Sequence, residues 1–198
     1  MNWKTILNPL EKFSEKTLLL AGIVSLFIGS WVGFLMNARF DGIIDLHLVD
    51  SIVWYEPLLD NVLNAVSLFV LFLIFGKVIN PKTRAIDVLN ASLICRIPMY
   101  VLSLTNLGGY LQAATNRIME GMNFDNLENA PSLHTSDLVM LLFMAIASIG
   151  LVILMITLFW KGFKTSTNSK GIKNIVMFTV LFLIAEVVSK LLIAGINS

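Results

Sequence analysis

The charges of this chain are sorted along its length in a way that ties it to a membrane. Five apolar stretches divide its 198 residues, and basic side chains cluster in alternate gaps. Lys4, Lys12 and Lys16 precede the first stretch. Lys77, Lys82 and Arg84 fall between the second and third, and Lys161, Lys164, Lys170 and Lys173 between the fourth and fifth. These gaps hold ten of the fourteen Lys and Arg residues against three acids, Glu11, Glu15 and Asp87. The other two gaps carry only Arg39 and Arg117, with nine acids: Asp41, Asp45, Asp50, Glu56, Asp60, Glu120, Asp125, Glu128 and Asp137. A formal net charge of +1 therefore conceals one side near +7 facing another near −7. The positive-inside rule reads this as a cytoplasmic amino terminus and a carboxyl terminus across the membrane.

With 57% hydrophobic and 14% charged residues and a mean hydropathy of +0.81, the chain exceeds what a soluble core of this size needs. The expected fold is all-α: a polytopic membrane protein of five transmembrane helices with an interfacial amino-terminal segment. Residues 1–16 form a cytoplasmic amphipathic leader and 17–198 the membrane domain, with spans at about 17–36, 62–78, 88–104, 138–160 and 175–196. The third stretch is short and contains Arg96 and Pro98, but the lysine-rich gaps on either side of it share a side only if it crosses. In the leader, Trp3, Ile6, Leu7, Leu10 and Phe13 recur at helical spacing, interrupted by Pro9. No small-residue cleavage site follows the first stretch at the usual distance, so it is expected to be retained. The single cysteine, Cys95, allows no internal disulfide.

Close backbone packing drives helix association in lipid, and Ala21, Ser25, Gly29 and Gly33 form a small-residue stripe on the first helix, ending in GxxxG. It marks a packing face, within the chain or between two copies. Ionisable residues inside the hydrocarbon are costly and face partners or cavities. Three occur here, Arg96, Glu186 and Lys190. Counted from the cytoplasmic side, Arg96 lies roughly 12–15 Å deep and Glu186 roughly 16–17 Å, so a pair is geometrically allowed. Lys190 follows Glu186 by one turn and offers it another partner. Pro98 frees the carbonyl of Ile94 and is expected to kink the third helix. Asn64 and Asn90 are candidate polar neighbours.

Residues 37–61 mix acids with Ile43, Ile44, Leu46, Leu48 and Trp54, suggesting an amphipathic helix on the outer interface. Asp41, Asp45, His47, Asp50, His134 and Asp137 are metal-ligand types, but their spacing matches no metal site. Ser132 and His134 have no motif that makes them a nucleophile and base. Gly108 and Gly109 mark a turn, and Thr135 or Ser136 caps the fourth helix. No metal, cofactor or catalytic residue is assigned, and nothing points to nucleic acid.

An Asn-Pro leader (NPLEKF, from Asn8), five spans, a short basic link and a third span with a proline after a polar run (ASLICRIPMY, Ala91 to Tyr100) resemble the Yip1 family of small polytopic membrane proteins. The resemblance covers about residues 5–196 and implies the topology that the charges indicate independently. Eukaryotic members have a longer cytoplasmic amino-terminal region and are associated with vesicle traffic and small GTPases. With about sixteen residues there, this chain is more like the compact bacterial relatives, which implies a bacterial cytoplasmic (inner) membrane. The expected role is a non-catalytic scaffold or membrane organiser whose partners are the lipid bilayer, other membrane proteins or a second copy. The rival expectation is a small ion- or proton-coupled transporter or channel built on Arg96, Glu186 and Lys190.

Overall fold

A computed structural model describes residues 7–121 and 135–197. Trp3, Lys4 and Ile6 of the leader, and Asp125, Glu128, Ser132 and His134, lie outside the described residues. A 3₁₀ turn, Pro9–Glu11, leads to α1, Glu15–Leu35. A two-stranded ribbon follows, β1 (Ala38–Arg39) and β2 (His47–Leu48), and then α2, Glu56–Ile79. The third hydrophobic segment is split into α3 (Ala85–Ile94) and α4 (Ile97–Ser103); a 3₁₀ segment, Leu104–Gly109, carries on into α5, Tyr110–Gly121. The chain ends with α6, Thr135–Thr167, and α7, Ile172–Asn197. Among the described residues, five helical segments are long and apolar enough to cross a membrane.

Local chemistry sets several boundaries. Ser14 caps α1 by accepting from the Thr17 amide at 3.2 Å, as a hydroxyl at that position does. The helix ends at Asn37, which adopts φ 53°, a left-handed conformation that asparagine tolerates better than most residues. Pro57 stands in the first turn of α2, where its missing N–H costs nothing. Pro98 does the same for α4, so the amide that would have bonded the Ile94 carbonyl is absent and the helix breaks at Cys95–Arg96.

Burial runs opposite to apolarity. The segment from Ala85 to Arg117 is the least hydrophobic of the five, yet 67% of its most apolar window is buried, against 6% for α6. It lies at the centre of the bundle, against α1, α2 and α6. Its polar residues Asn90, Ser92, Arg96 and Ser103 are buried because protein surrounds them. The outer helices turn apolar side chains outward, with Phe27, Trp31, Ile74, Phe143 and Leu191 all more than half exposed.

Two devices hold the bundle together. Phe72, Phe75, Phe159, Phe163, Phe178 and Phe182 interlock α2, α6 and α7, with Phe72 and Phe159 edge-on at 4.6 Å and Phe75 stacked on Phe163 at 5.5 Å, geometries that aromatic quadrupoles favour. Elsewhere glycines bring backbones close. A Cβ on Gly22 would stand 2.7 Å from Leu93, one on Gly33 2.7 Å from Phe40, and one on Gly29 would fall on the Tyr100 ring.

The packing face of α1 is therefore Gly22, Gly29 and Gly33 with Leu18, Leu26 and Ser30. Ala21, placed on that stripe by sequence, is exposed, and Ser25 is half-buried, donating to the Gly22 carbonyl at 2.8 Å. Steps of four residues drift by about 40° each around a helix of 3.6 residues per turn, whereas steps of seven and eleven stay in line. The face is filled from within the chain.

Candidate functional site

In the segment expected as an interfacial helix at 37–61, residues 37–55 instead form a folded cap, and 56–61 are the first turns of α2. Ala38, Phe40 and Ile43 are fully buried, carrying backbone polar groups into an apolar surround where each needs a partner. Side chains from three helical segments supply them. Asp60 of α2 accepts from the Phe40 amide at 3.3 Å, and Asn64 Nδ2 donates to the Phe40 carbonyl at 2.7 Å. At the α3–α4 break, Arg96 Nη1 donates to the carbonyls of Ile43 and, at 3.4 Å, Gly42. Glu186 Oε2 of α7 accepts from the Ile44 amide at 3.0 Å. Gly42 suits this approach, since a Cβ there would overlap Glu186 Oε1 and displace the carboxylate.

Arg96 is fully buried, the largest side chain to be so. Its Nη2 donates to Asn61 Oδ1 at 2.8 Å, and Asn61 in turn donates to Ser30 at 3.1 Å. The guanidinium also lies 5.8 Å from the Phe40 ring and 6.0 Å from Tyr100, within cation–π range. Arg96 and Glu186 form no ion pair among the described residues. The peptide run Gly42–Ile44 lies between them: the cation takes its carbonyls and the anion its amide. Lys190 stands 3.4 Å from Glu186 and 2.7 Å from Asp45, so it ties the cap to α7 from outside. Asn90 belongs elsewhere, donating to the Glu15 carbonyl at 3.1 Å near the leader.

The two cations of the acidic gaps are each committed to a buried acid. Arg39 grips Asp60 through two bonds of 2.7 and 2.9 Å and reaches Glu56 at 3.2 Å. The bond from Asp60 holds the guanidinium pKa of Arg39 above its ordinary value, with the charges of Asp60, Glu56 and Asp41 adding to it. Arg117 reaches Asp137 at 2.9 and 3.0 Å, joining α5 to α6. The residues weighed as metal ligands are also engaged. Asp41 meets His47 at 2.5 Å, Asp45 meets Lys190 and Asp50 accepts from Gln112 at 2.8 Å. No cluster of three metal-ligand side chains occurs among the described residues.

Sequence reasoning named Arg96, Glu186 and Lys190 but missed Asp60 and Asn61. The signal that could have found them was their spacing with Asn64 and Ser67, which puts polar residues on one face at the start of α2.

The ion pair between Lys190 and Asp45 is nearly half exposed on both sides, so Lys190→Ala is expected to change stability by less than ~1 kcal/mol. Thermal unfolding in detergent checks this. A larger loss would mean that the cap depends on this tie more than on its buried bonds. No protein-family model matches this chain, and neither does any curated protein or solved structure.

Proposed function

We propose that this chain is an integral membrane protein of Yip1-like type, with its amino terminus in the cytoplasm of a bacterial cell, acting as a non-catalytic scaffold or membrane organiser. The observation that carries this reading is the use made of the intramembrane charges. Arg96 and Glu186 are spent on the chain's own cap, in bonds that hold a rigid shape, and pore-lining charges would face an aqueous path. The outward apolar faces of α1, α6 and α7 leave wide surfaces for lipid and for neighbouring membrane proteins or a second copy.

A small transporter is the second reading, and one observation favours it. Asn64 Oδ1 and Ser67 Oγ are buried without hydrogen-bond partners among the described residues, groups that a polar solute could engage. Two measurements on one preparation separate the readings. The scaffold reading expects cross-linked assemblies in native membranes and no proton or solute flux in liposomes. Wild-type flux abolished by Glu186→Gln at unchanged folded yield, together with strictly monomeric behaviour in membranes, would overturn it.

A further inference from the structure

At the opposite end of the bundle from the cap, the leader packs beside the turn between α6 and α7 and borders an open pocket of about 520 Å³. Lys161, Lys164 and Lys170 line it, with Glu11 as the one acid. None of the three lysines forms an ion pair among the described residues. Asn8 closes one wall, donating to Thr165 at 3.2 Å.

The last turn of α6 is rich in hydroxyls, and three of them bond back to their own helix. Thr165 donates to Lys161, Ser166 to Gly162 and Thr167 to Phe163, at 2.8–3.0 Å. Ser169 does not. It follows Asn168, whose φ of 52° ends the helix, and its amide returns to the Lys164 carbonyl at 3.3 Å. Ser169 lines the pocket at 1% exposure, and its Oγ has no hydrogen-bond partner among the described residues. A buried hydroxyl left unmade is costly. It borders the pocket beside three lysines, as does Asn8, whose Oδ1 is likewise buried without a hydrogen-bond partner among the described residues.

We infer that this pocket binds a phosphate group, with Lys161, Lys164 and Lys170 supplying charge and Ser169 a hydrogen bond to a phosphate oxygen. The group is the headgroup phosphate of an anionic phospholipid, a source that rests on the membrane reading above. Helix α7 begins at Ile172, two residues past Lys170, its apolar run follows from Ile175, and Ile172, Ile175 and Val176 are exposed. An acyl chain can follow them while the phosphate stays among the lysines, the arrangement by which basic pockets at helix ends hold lipid headgroups.

The test uses the purified full-length protein in mild detergent, titrated with dioleoyl-phosphatidylglycerol, dioleoyl-phosphatidylcholine or inorganic phosphate. Retained lipid is read by native mass spectrometry and stability by thermal unfolding. Wild type is expected to keep phosphatidylglycerol under activation that strips phosphatidylcholine. Changing Lys161, Lys164 and Lys170 together to Gln is expected to lower that occupancy roughly tenfold or more. The charge-matched set Lys77→Gln, Lys82→Gln and Lys173→Gln should stay within about twofold. Ser169→Ala, which keeps every lysine, is expected to weaken retention several-fold, by loss of one charge-assisted bond. Inorganic phosphate that raises the melting temperature of wild type and not of the pocket variant, without lipid preference, would assign the same site to a soluble phosphate and overturn the lipid source. Equal losses in the two triple variants, or no preference for either phosphate source, would overturn the site itself. The scaffold reading is untouched by that failure, because the cap and its charges lie at the other end.

Discussion

Replacing Arg96 with leucine is expected to cost at least ~3 kcal/mol of stability, because each bond from a charged donor contributes about 1.5–3 kcal/mol and the acceptors left behind are buried. The carbonyls of Gly42 and Ile43 and Asn61 Oδ1 lose their donor together. The loss should be local in its first appearance: amide exchange at residues 40–46 should rise before that at Phe72 and Phe159. Arg96→Lys keeps the charge but gathers its donors on one nitrogen, in place of the planar fork that sends Nη1 to the cap carbonyls and Nη2 to Asn61. An intermediate loss is expected from it. Unfolding monitored in detergent, with hydrogen exchange by mass spectrometry, reads both quantities. If leucine left the melting temperature unchanged, the cap would be held by its bonds to Asp60, Asn64 and Glu186 and by the packing of Phe40 and Ile43, without Arg96.

Gly29→Leu is expected to be as damaging by a different route. The Tyr100 ring occupies the space where any Cβ would go, and Tyr100 is buried between α1 and the core, so neither ring nor helix can move aside cheaply. Overpacking at such a site costs about 1–3 kcal/mol for small additions and more for a full side chain. The diagnostic is a double-mutant cycle. Tyr100→Ala opens the space, and in that background Gly29→Leu should lose much of its effect, giving a coupling of about 1 kcal/mol or more. Gly150, in the middle of α6, serves as the control, because a Cβ added there would meet nothing within 4 Å. Gly150→Ala should stabilise slightly, by about 0.5–1 kcal/mol, through helix propensity. Equal effects at the two glycines would show that propensity, rather than the Tyr100 contact, governs α1.

The cap was the least legible part of the chain. Ile43 and Arg96 are 53 residues apart, and Ile44 and Glu186 are 142 apart. A pattern read along the sequence carries local periodicity, and residues 37–55 mix acids and aliphatics in a way that fits an interfacial helix as well as a ribbon. What decides against the helix is the buried polar wall waiting for the loop: Asp60, Asn61, Asn64, Arg96 and Glu186. The charges within the apolar segments were visible one by one because each interrupts an apolar run. Their joint task was not, because charge and depth suggest a direct pair, and only the folded chain shows a peptide segment between the two.

The five apolar segments and the sorting of charge into two sets of gaps were determined by sequence alone, since both follow from runs of residues and need no knowledge of neighbours. The folded chain keeps those gaps together at two ends, as in the bonds from Arg84 to Glu15 and Asn80 to Thr167 at one and from Asn106 to Met36 at the other. Tertiary structure alone decided that the least apolar segment lies at the centre, that Gly22 rather than Ala21 lines the packing face, and that Arg96 and Glu186 hold a loop between them. The physical reason is common to all three. Whether a polar or small residue is favourable at a position depends on what surrounds it, and those surroundings are assembled from helices far apart in the chain.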